Sequence, residues 1–248
     1  MYQFFADDEN INKDNKTVII SGSDVNHIKN VLRMKPGEEL NVSNGFNGKE
    51  YRCAVREFED DQVICELLFI NEDSHELETK VFLFQGLPKS DKFETVIQKN
   101  VELGVFRIIP VCMKRCVVKL DEKKAKTKTA RWNEISQSAA KQSKRGIIPE
   151  VAEPMEYKNA LKYAAENCDV LLLPYEMAED MEHTRKLLEG IKKGSKVAIF
   201  IGPEGGFEDT EIDEALNAGF ETITLGKRIL RTETAGMYLM SVLSYLGE

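Results

Sequence analysis

Between residues 80 and 248, short continuous apolar runs alternate with segments of helical periodicity. This alternation constrains the fold more than any other feature of the chain. Runs 81–87, 107–112, 169–174, 196–201 and 221–225 read as strands; segments 91–103, 122–144, 157–167, 180–191, 209–218 and 232–246 read as helices. A strand that is apolar at consecutive positions has to be covered on both faces, as in a mostly parallel sheet flanked by helices. An α/β domain is therefore expected.

Upstream the pattern changes. Runs 16–21, 38–43, 51–58 and 62–70 alternate or cluster β-branched and aromatic residues, and Pro36-Gly37 and Asn44-Gly-Phe-Asn-Gly48 separate them as turns. One helix is expected at 24–33, with Asp24 as its cap and Val25, Ile28, Val31 and Leu32 on one face. So many strands in so short a module imply a compact barrel or sandwich with a binding role. Charge divides at the same place: residues 1–79 hold 8 Lys and Arg against 17 Asp and Glu, and residues 80–248 hold 26 against 25. Within the polar stretch 71–79 the division is set as 1–74 and 75–248.

The net charge of −8 excludes a wholly basic nucleic-acid coat but not a local patch. Segment 114–145 supplies one, with 11 Lys and Arg against 3 acids. On a helix, Lys124, Lys128 and Arg131, then Gln142 and Arg145, share a stripe. That stripe suits backbone phosphates, although such a charge run is more often a solvated helix face. The acidic N-terminus and strand-sized apolar runs lack the pattern of a signal peptide or of a membrane span of ~20 residues. Five cysteines without a CxxC pair suggest a reduced, cytoplasmic protein. His27, His75 and His183 are too scattered for a metal site, and His27 is expected to pack or hydrogen-bond near its helix.

In a parallel sheet, ligands bind where loops leave the carboxyl ends of strands. The loop after 196–201 reads Gly202-Pro-Glu-Gly-Gly-Phe207 and leads into an acidic helix start, which argues against a phosphate loop. On spacing alone, a turn with capping carboxylates and a ligand loop both stand. The loop after 221–225 sets Ile229-Leu230 among Lys227, Arg228 and Arg231, with Thr232 and Thr234 available as caps. It reads equally as a core plug with solvated cations or as a site for a flat, partly apolar ligand. The loop after 169–174 carries Tyr175-Glu176.

Taken together, Ile201-Gly-Pro-Glu-Gly-Gly-Phe207 and Leu225-Gly-Lys-Arg-Ile-Leu-Arg-Thr-Glu-Thr-Ala235 resemble the signature of the RsmE family. These are SPOUT-class methyltransferases acting on N3 of a uridine in small-subunit (16S) ribosomal RNA. His27 to Gly37, Ile97-Gln-Lys-Asn-Val-Glu-Leu-Gly104 and Ala139-Ala-Lys-Gln-Ser-Lys-Arg145 resemble further family segments, so the likeness covers most of the chain.

The resemblance implies a PUA-like RNA-binding β-barrel over 1–74. It implies a SPOUT domain over 75–248, an α/β fold whose C-terminal segment is threaded into a deep trefoil knot. It also implies S-adenosylmethionine as cofactor, 16S rRNA in the small subunit as substrate, and a homodimer. By motif match, Ile201, Gly202, Glu204, Gly205 and Gly206 fall in one cofactor loop. Leu225, Gly226, Ile229, Leu230, Thr234 and Ala235 fall in the other, and Leu173 ends the strand before the third wall. Ile229-Leu230 would give the adenine an apolar slot. Arg231 is expected to stabilise the uridine anion with Glu233 orienting it, and Glu204 is the second choice for a polar contact. Lys99 and Arg145, which lie in motifs with Glu102 and Gln142, join Arg33 and Lys35 as candidate RNA or interface contacts. The chain departs from the family at Gln3-Phe4-Phe5, where members often carry Arg. Two rivals remain: a non-catalytic RNA-binding assembly factor, and a SPOUT enzyme acting on another RNA.

Overall fold

The computed structural model describes every residue except Asp73, Ser74, Glu179 and Glu248. The 74/75 division therefore falls at residues outside the description. The chain forms two compact units, Met1–Glu76 with Ala140–Ile148, and Leu77–Ala139 with Pro149–Glu248.

The first unit is built on one six-stranded sheet. Its strands are β1 (Gln3–Phe5), β2 (Ile11–Asn12), β3 (Thr17–Ser21), β4 (Glu39–Ser43), β5 (Glu50–Phe58) and β6 (Gln62–Asn71). The order is β1-β4-β5-β6-β3-β2, antiparallel except for the β1/β4 pair. That order is an open path, so among the described residues the sheet is a half-barrel rather than a closed barrel or sandwich. Register shifts between Arg52 and Cys53 and between Val55 and Glu57 bend the long β5/β6 pair. Alternation puts Val18, Ile20, Leu40, Val42, Tyr51, Cys53, Val63 and Cys65 into a core where each is fully buried. Burying an aliphatic side chain of this size stabilises by ~1.5–3 kcal/mol.

The helix expected at 24–33 is cut short. α1 (Ser23–Asn26) runs into a π-helical turn, His27–Val31, in which the Leu32 amide reaches back to the His27 carbonyl at 2.9 Å. The wider turn breaks 3.6-residue spacing: Ile28 is fully buried, but Val31 is turned outward and is 64% exposed. Asp24 does not cap the helix. Gly22 holds that position, and the Asp24 carboxylate accepts hydrogen bonds from Lys141 Nζ at 2.7 and 2.8 Å. His27 is exposed, with its ring edge-on to Phe4 at 6.2 Å.

The second unit is an α/β layer structure. Its strands are β7 (Lys80–Gly86), β8 (Arg107–Cys112), β9 (Glu150–Val151), β10 (Met155–Glu156), β11 (Val170–Pro174), β12 (Lys196–Ile201) and β13 (Glu221–Ile223). Its helices are α2 (Lys92–Glu102), α3 (Glu122–Gln142), α4 (Tyr157–Asn167), α5 (Met181–Glu189), α6 (Asp209–Asn217) and α7 (Thr232–Gly247), of which the last three residues of α3 count with the first unit. Sheet order is β10-β8-β7-β12-β11-β13, with β9 also on β8, and every pair is parallel. Central strands are apolar on both faces: Val81, Leu83, Phe84, Val197, Ala198, Ile199, Phe200, Leu172 and Leu173 are all fully buried. Phe84 and Phe200, register partners on β7 and β12, stack at 4.6 Å. α7 packs against α2, burying Ala235, Gly236, Leu239, Met240 and Leu243.

Candidate functional site

Because β7, β12, β11 and β13 are parallel neighbours, the loops after them leave from one edge of the sheet. Two of these loops, 202–208 and 224–231, are the glycine-bearing segments singled out in the sequence. Thr232, the first residue of α7, joins them to each other. Its hydroxyl donates to the Gly202 carbonyl at 2.6 Å and accepts from Gln85 Nε2 at 2.8 Å. A residue expected as a helix cap is thus the tie between β7, the 202–208 loop and the head of α7.

Close approach demands glycine at the end of β7. A Cβ on Gly86 would lie 2.7 Å from both the backbone nitrogen and Cδ of Pro203, and 3.0 Å from Met113 Sδ. The 202–208 loop is clasped from its other side as well. Arg115 donates to the Gly205 carbonyl and to Glu208, each at 2.8 Å, and the Lys114 amide donates to Glu211 at 2.9 Å. Glu208 and Glu211 form a capping box at the start of α6, so the loop is both a capped turn and a wall of the edge.

A charge cluster crosses the edge. Glu204 accepts from the Lys89 amide at 3.1 Å and from Lys92 Nζ at 3.1 Å. Lys92 Nζ also lies 3.6 Å from Glu233 Oε2, an oxygen shielded from solvent without a hydrogen-bond partner. Gln85 Oε1 is likewise buried and unpartnered. Partial burial opposes ionisation of Glu204, but hydrogen bonds from its own and the Lys89 amide, with the Lys92 ammonium, hold its carboxyl below the ordinary range. The Arg115 guanidinium lowers Glu208 in the same direction.

The third loop is anchored at its base. The Tyr175 amide donates to Ile223, the Thr224 amide to Thr184 Oγ1, and the Gly226 amide to Thr224 Oγ1. Gly226 has φ +102°, which a residue with a side chain rarely adopts.

Sequence-chosen residues fall into three groups. Leu173 and Ile201 are buried at the ends of their strands, beneath the loops. Gly202, Glu204, Gly205, Gly206, Leu225, Gly226, Leu230, Thr234 and Ala235 lie on the two loops or the first turn of α7. Ile229 is 86% exposed and Leu230 half-buried. Arg231 is exposed, and its carbonyl accepts the Thr234 and Ala235 amides. Glu233 does not orient it: the carboxylate pairs with Lys92.

Among the candidate RNA contacts, Arg33 and Lys35 are exposed, and Lys99 pairs with Glu102 at 2.9 Å. Arg145 is a correction. α3 ends at Gln142, Lys144 turns left-handed at φ +60°, and Arg145 is swung off the expected stripe into the first unit, where it is 4% exposed. Its guanidinium pairs with Glu76, which also accepts the Gly146 and Ile147 amides at 3.1 Å each. A cation so enclosed holds the chain and has no face left for RNA. Gln3 is buried too, donating to Ser43 Oγ at 2.9 Å.

Sequence reasoning missed Lys92, Gln85 and Gly86. A glycine closing an apolar strand at its carboxyl end was the available signal for Gly86; a single lysine or glutamine carries none. The five cysteines are unpaired, and burial pushes Cys53, Cys65 and Cys168 up to about 12. Among the described residues, no group of side chains could hold a metal ion, and no helix is long and apolar enough to cross a membrane.

This architecture has relatives. The profile of the RNA methyltransferase domain matches residues 75–244, and that of the RNA methyltransferase PUA domain matches 20–68. Ribosomal RNA small subunit methyltransferase E of Bacillus subtilis is 37% identical over 94% of this chain and 91% of its own length. The Mesomycoplasma hyopneumoniae protein of the same name is 35% identical over 97% and 98%. A crystal structure of that enzyme from Neisseria gonorrhoeae, bound to S-adenosyl methionine, superposes with a TM-score of 0.84 at 31% identity, covering 99% of this chain and 98% of that one. With two domain profiles matched in order and full-length relatives above 30% identity, the chain belongs to the ribosomal RNA small subunit methyltransferase E family.

Proposed function

We propose that this chain transfers a methyl group from S-adenosylmethionine to N3 of a uridine in 16S ribosomal RNA. The observation that carries the reading is the Thr232 hydroxyl, which gathers the 202–208 loop and the head of α7 at one sheet edge. The family relationship gives that edge its chemistry.

The residues present suit the cofactor. Gly202, Gly205 and Gly206 leave one wall without side chains, so a ligand can approach its backbone closely, with Leu225, Gly226, Leu230, Thr234 and Ala235 on the other. Leu173 and Ile201 give an apolar floor. Buried acceptors without donors, Gln85 Oε1 and Glu233 Oε2, suit a ligand rich in N–H and O–H groups. When bound, the cofactor supplies a methyl group made electrophilic by the sulfonium sulfur. The chain then has to align the nucleobase with that methyl and manage the N3 proton. Arg231, exposed at the mouth and free of an ion pair among the described residues, supports a role in stabilising the uridine anion.

The remaining expectations belong to the same reading. The half-barrel with its matched PUA profile supports an RNA-binding module over 1–74, with Arg33 and Lys35 as exposed cations. Strand order β7-β12-β11-β13, with α7 returning against α2 and tied to Gly202, is consistent with a SPOUT-type trefoil knot at the C-terminus. Exposed Ile229, Tyr238 and Tyr245 support a homodimer, whose second subunit would cover them. The cytoplasm, where small subunits are assembled, is the proposed location.

The test is incubation of purified protein and S-adenosylmethionine with small subunits lacking the modification, followed by nucleotide mapping by mass spectrometry. Methylation of one uridine at N3 supports the proposal. No transfer despite cofactor binding favours an assembly factor, and transfer only to another RNA overturns the substrate assignment. Arg231→Ala is expected to lower turnover with cofactor binding unchanged; turnover within a few fold of wild type removes its role.

A further inference from the structure

Glu204 and Glu233 lie on the two segments that the cofactor reading brings together, and one side chain from a third element touches both. Lys92 stands in the first turn of α2 and reaches Glu204 at 3.1 Å and Glu233 at 3.6 Å, with about a third of its side chain exposed. Neither the glycine loop nor the arginine-bearing segment supplies a cation of its own to these carboxylates. Arg115 is engaged by Glu208 and the Gly205 carbonyl, and Arg231 has no ion pair with Glu233 among the described residues.

The consequence is largest at Glu233. Its Oε2 is solvent-shielded and accepts no hydrogen bond among the described residues. A carboxyl oxygen in that state is costly unless a nearby cation offsets its burial, or a ligand brings a donor to it. Lys92 is the cation in place. Carboxyl oxygens at the mouth of a methyl-transfer site can accept and orient an N–H hydrogen.

We propose that Lys92 is a positioning residue for the reaction, bridging Glu204 and Glu233 across the two loops. The inference rests on the methyltransferase reading above and assigns it a residue that no family motif suggested. The charged and titratable groups facing the pair are Lys92 from α2, the Lys89 segment before it, and the Cys116 thiol, which senses Glu204 from the segment after β8. Of these, Lys92 alone places a cation on both carboxylates.

Lys92→Met keeps the aliphatic stem and removes the charge, whereas Lys92→Arg keeps the charge. Both are assayed beside wild type for kcat and KM on small subunits across a pH series, with cofactor affinity measured by calorimetry. Losing a charge-assisted contact predicts a fall in kcat of roughly tenfold or more in Lys92→Met. The acid limb of its rate profile should move to higher pH through Glu204, whose carboxyl loses the ammonium that helps hold it below the ordinary range. Lys92→Arg should recover most of the rate and the original limb. Two results overturn the proposal: an unshifted limb with kcat within twofold in Lys92→Met, or a Lys92→Arg protein as impaired as Lys92→Met. A wild-type protein that methylates nothing sinks the parent reading instead, and the parallel assay separates the two failures. Should Lys92→Met fold poorly, the Glu233→Gln protein reads the same point. With the carboxylate replaced by a neutral amide, kcat should fall roughly tenfold or more; kcat within twofold of wild type contradicts the assignment.

Discussion

Replacing Thr232 by valine removes one hydroxyl with almost no change of shape. In the native structure that oxygen donates to Gly202 O at 2.6 Å and accepts from Gln85 Nε2 at 2.8 Å. Thr232 is 7% exposed and Gln85 fully buried, so water cannot replace the hydroxyl freely. Each lost hydrogen bond removes about 0.5–1.5 kcal/mol, and a buried donor left without its partner adds about 1–3 kcal/mol. Gln85 Nε2 keeps its contact with the Gly86 carbonyl at 3.1 Å, which places the total near the lower part of that range. The expected loss is about 2–3 kcal/mol of unfolding free energy, read from urea denaturation of Thr232→Val against wild type. If a share of about 1.4 kcal/mol falls on loop order alone, cofactor affinity drops about tenfold by calorimetry. Thr232→Ser keeps the hydroxyl and should stay within about 1 kcal/mol of wild type. A Thr232→Val protein with native stability and native cofactor affinity would refute the argument that this hydroxyl ties the two loops.

Four further outcomes follow from the same geometry. Gly86→Ala places a Cβ 2.7 Å from Pro203 and should cost about 1–3 kcal/mol by thermal denaturation, with weakened cofactor binding; an unchanged protein would mean the loop shifts freely. Arg145→Ala leaves Glu76 buried without its cation and should destabilise by about 3 kcal/mol or more; native stability with lost rRNA affinity would restore an RNA role for Arg145. Glu204 and Glu208 titrate below the ordinary 4.5 when folded, so their stabilisation is present above that value and is lost as pH falls through their lowered values. Glu204→Gln should flatten the acid side of a stability–pH curve, and an unaltered curve would contradict the shift. Alkylation of the native protein with iodoacetamide at neutral pH should leave Cys53 and Cys65 unmodified until denaturant is added, because burial suppresses their thiolates.

Legibility differed between the two units for physical reasons. β7, β8, β11 and β12 were readable because strands covered on both faces carry continuous apolar runs, and that signal needs no partner to interpret. β1, β2, β9 and β10 have two or three residues each, too few for any period to register. At 24–33 the helical spacing was real, but a π-helical turn shifted Val31 out of the face that Val25 and Ile28 share. In the site, loops were legible through their glycines, whereas Thr232, Gln85 and Lys92 act through contacts more than a hundred residues distant in the chain. Arg145 misled for the same reason: its partner Glu76 lies 69 residues away, and helical extrapolation past Gln142 placed it on a stripe it never joins.

The most direct measurement is a crystal structure of this protein with S-adenosylmethionine bound. The account predicts the donor lying between the backbone of Gly202–Gly206 and that of Leu225–Leu230, above Leu173 and Ile201, with the Thr232–Gly202 hydrogen bond intact. A donor bound elsewhere on the chain, or those two segments separated in its presence, would contradict it.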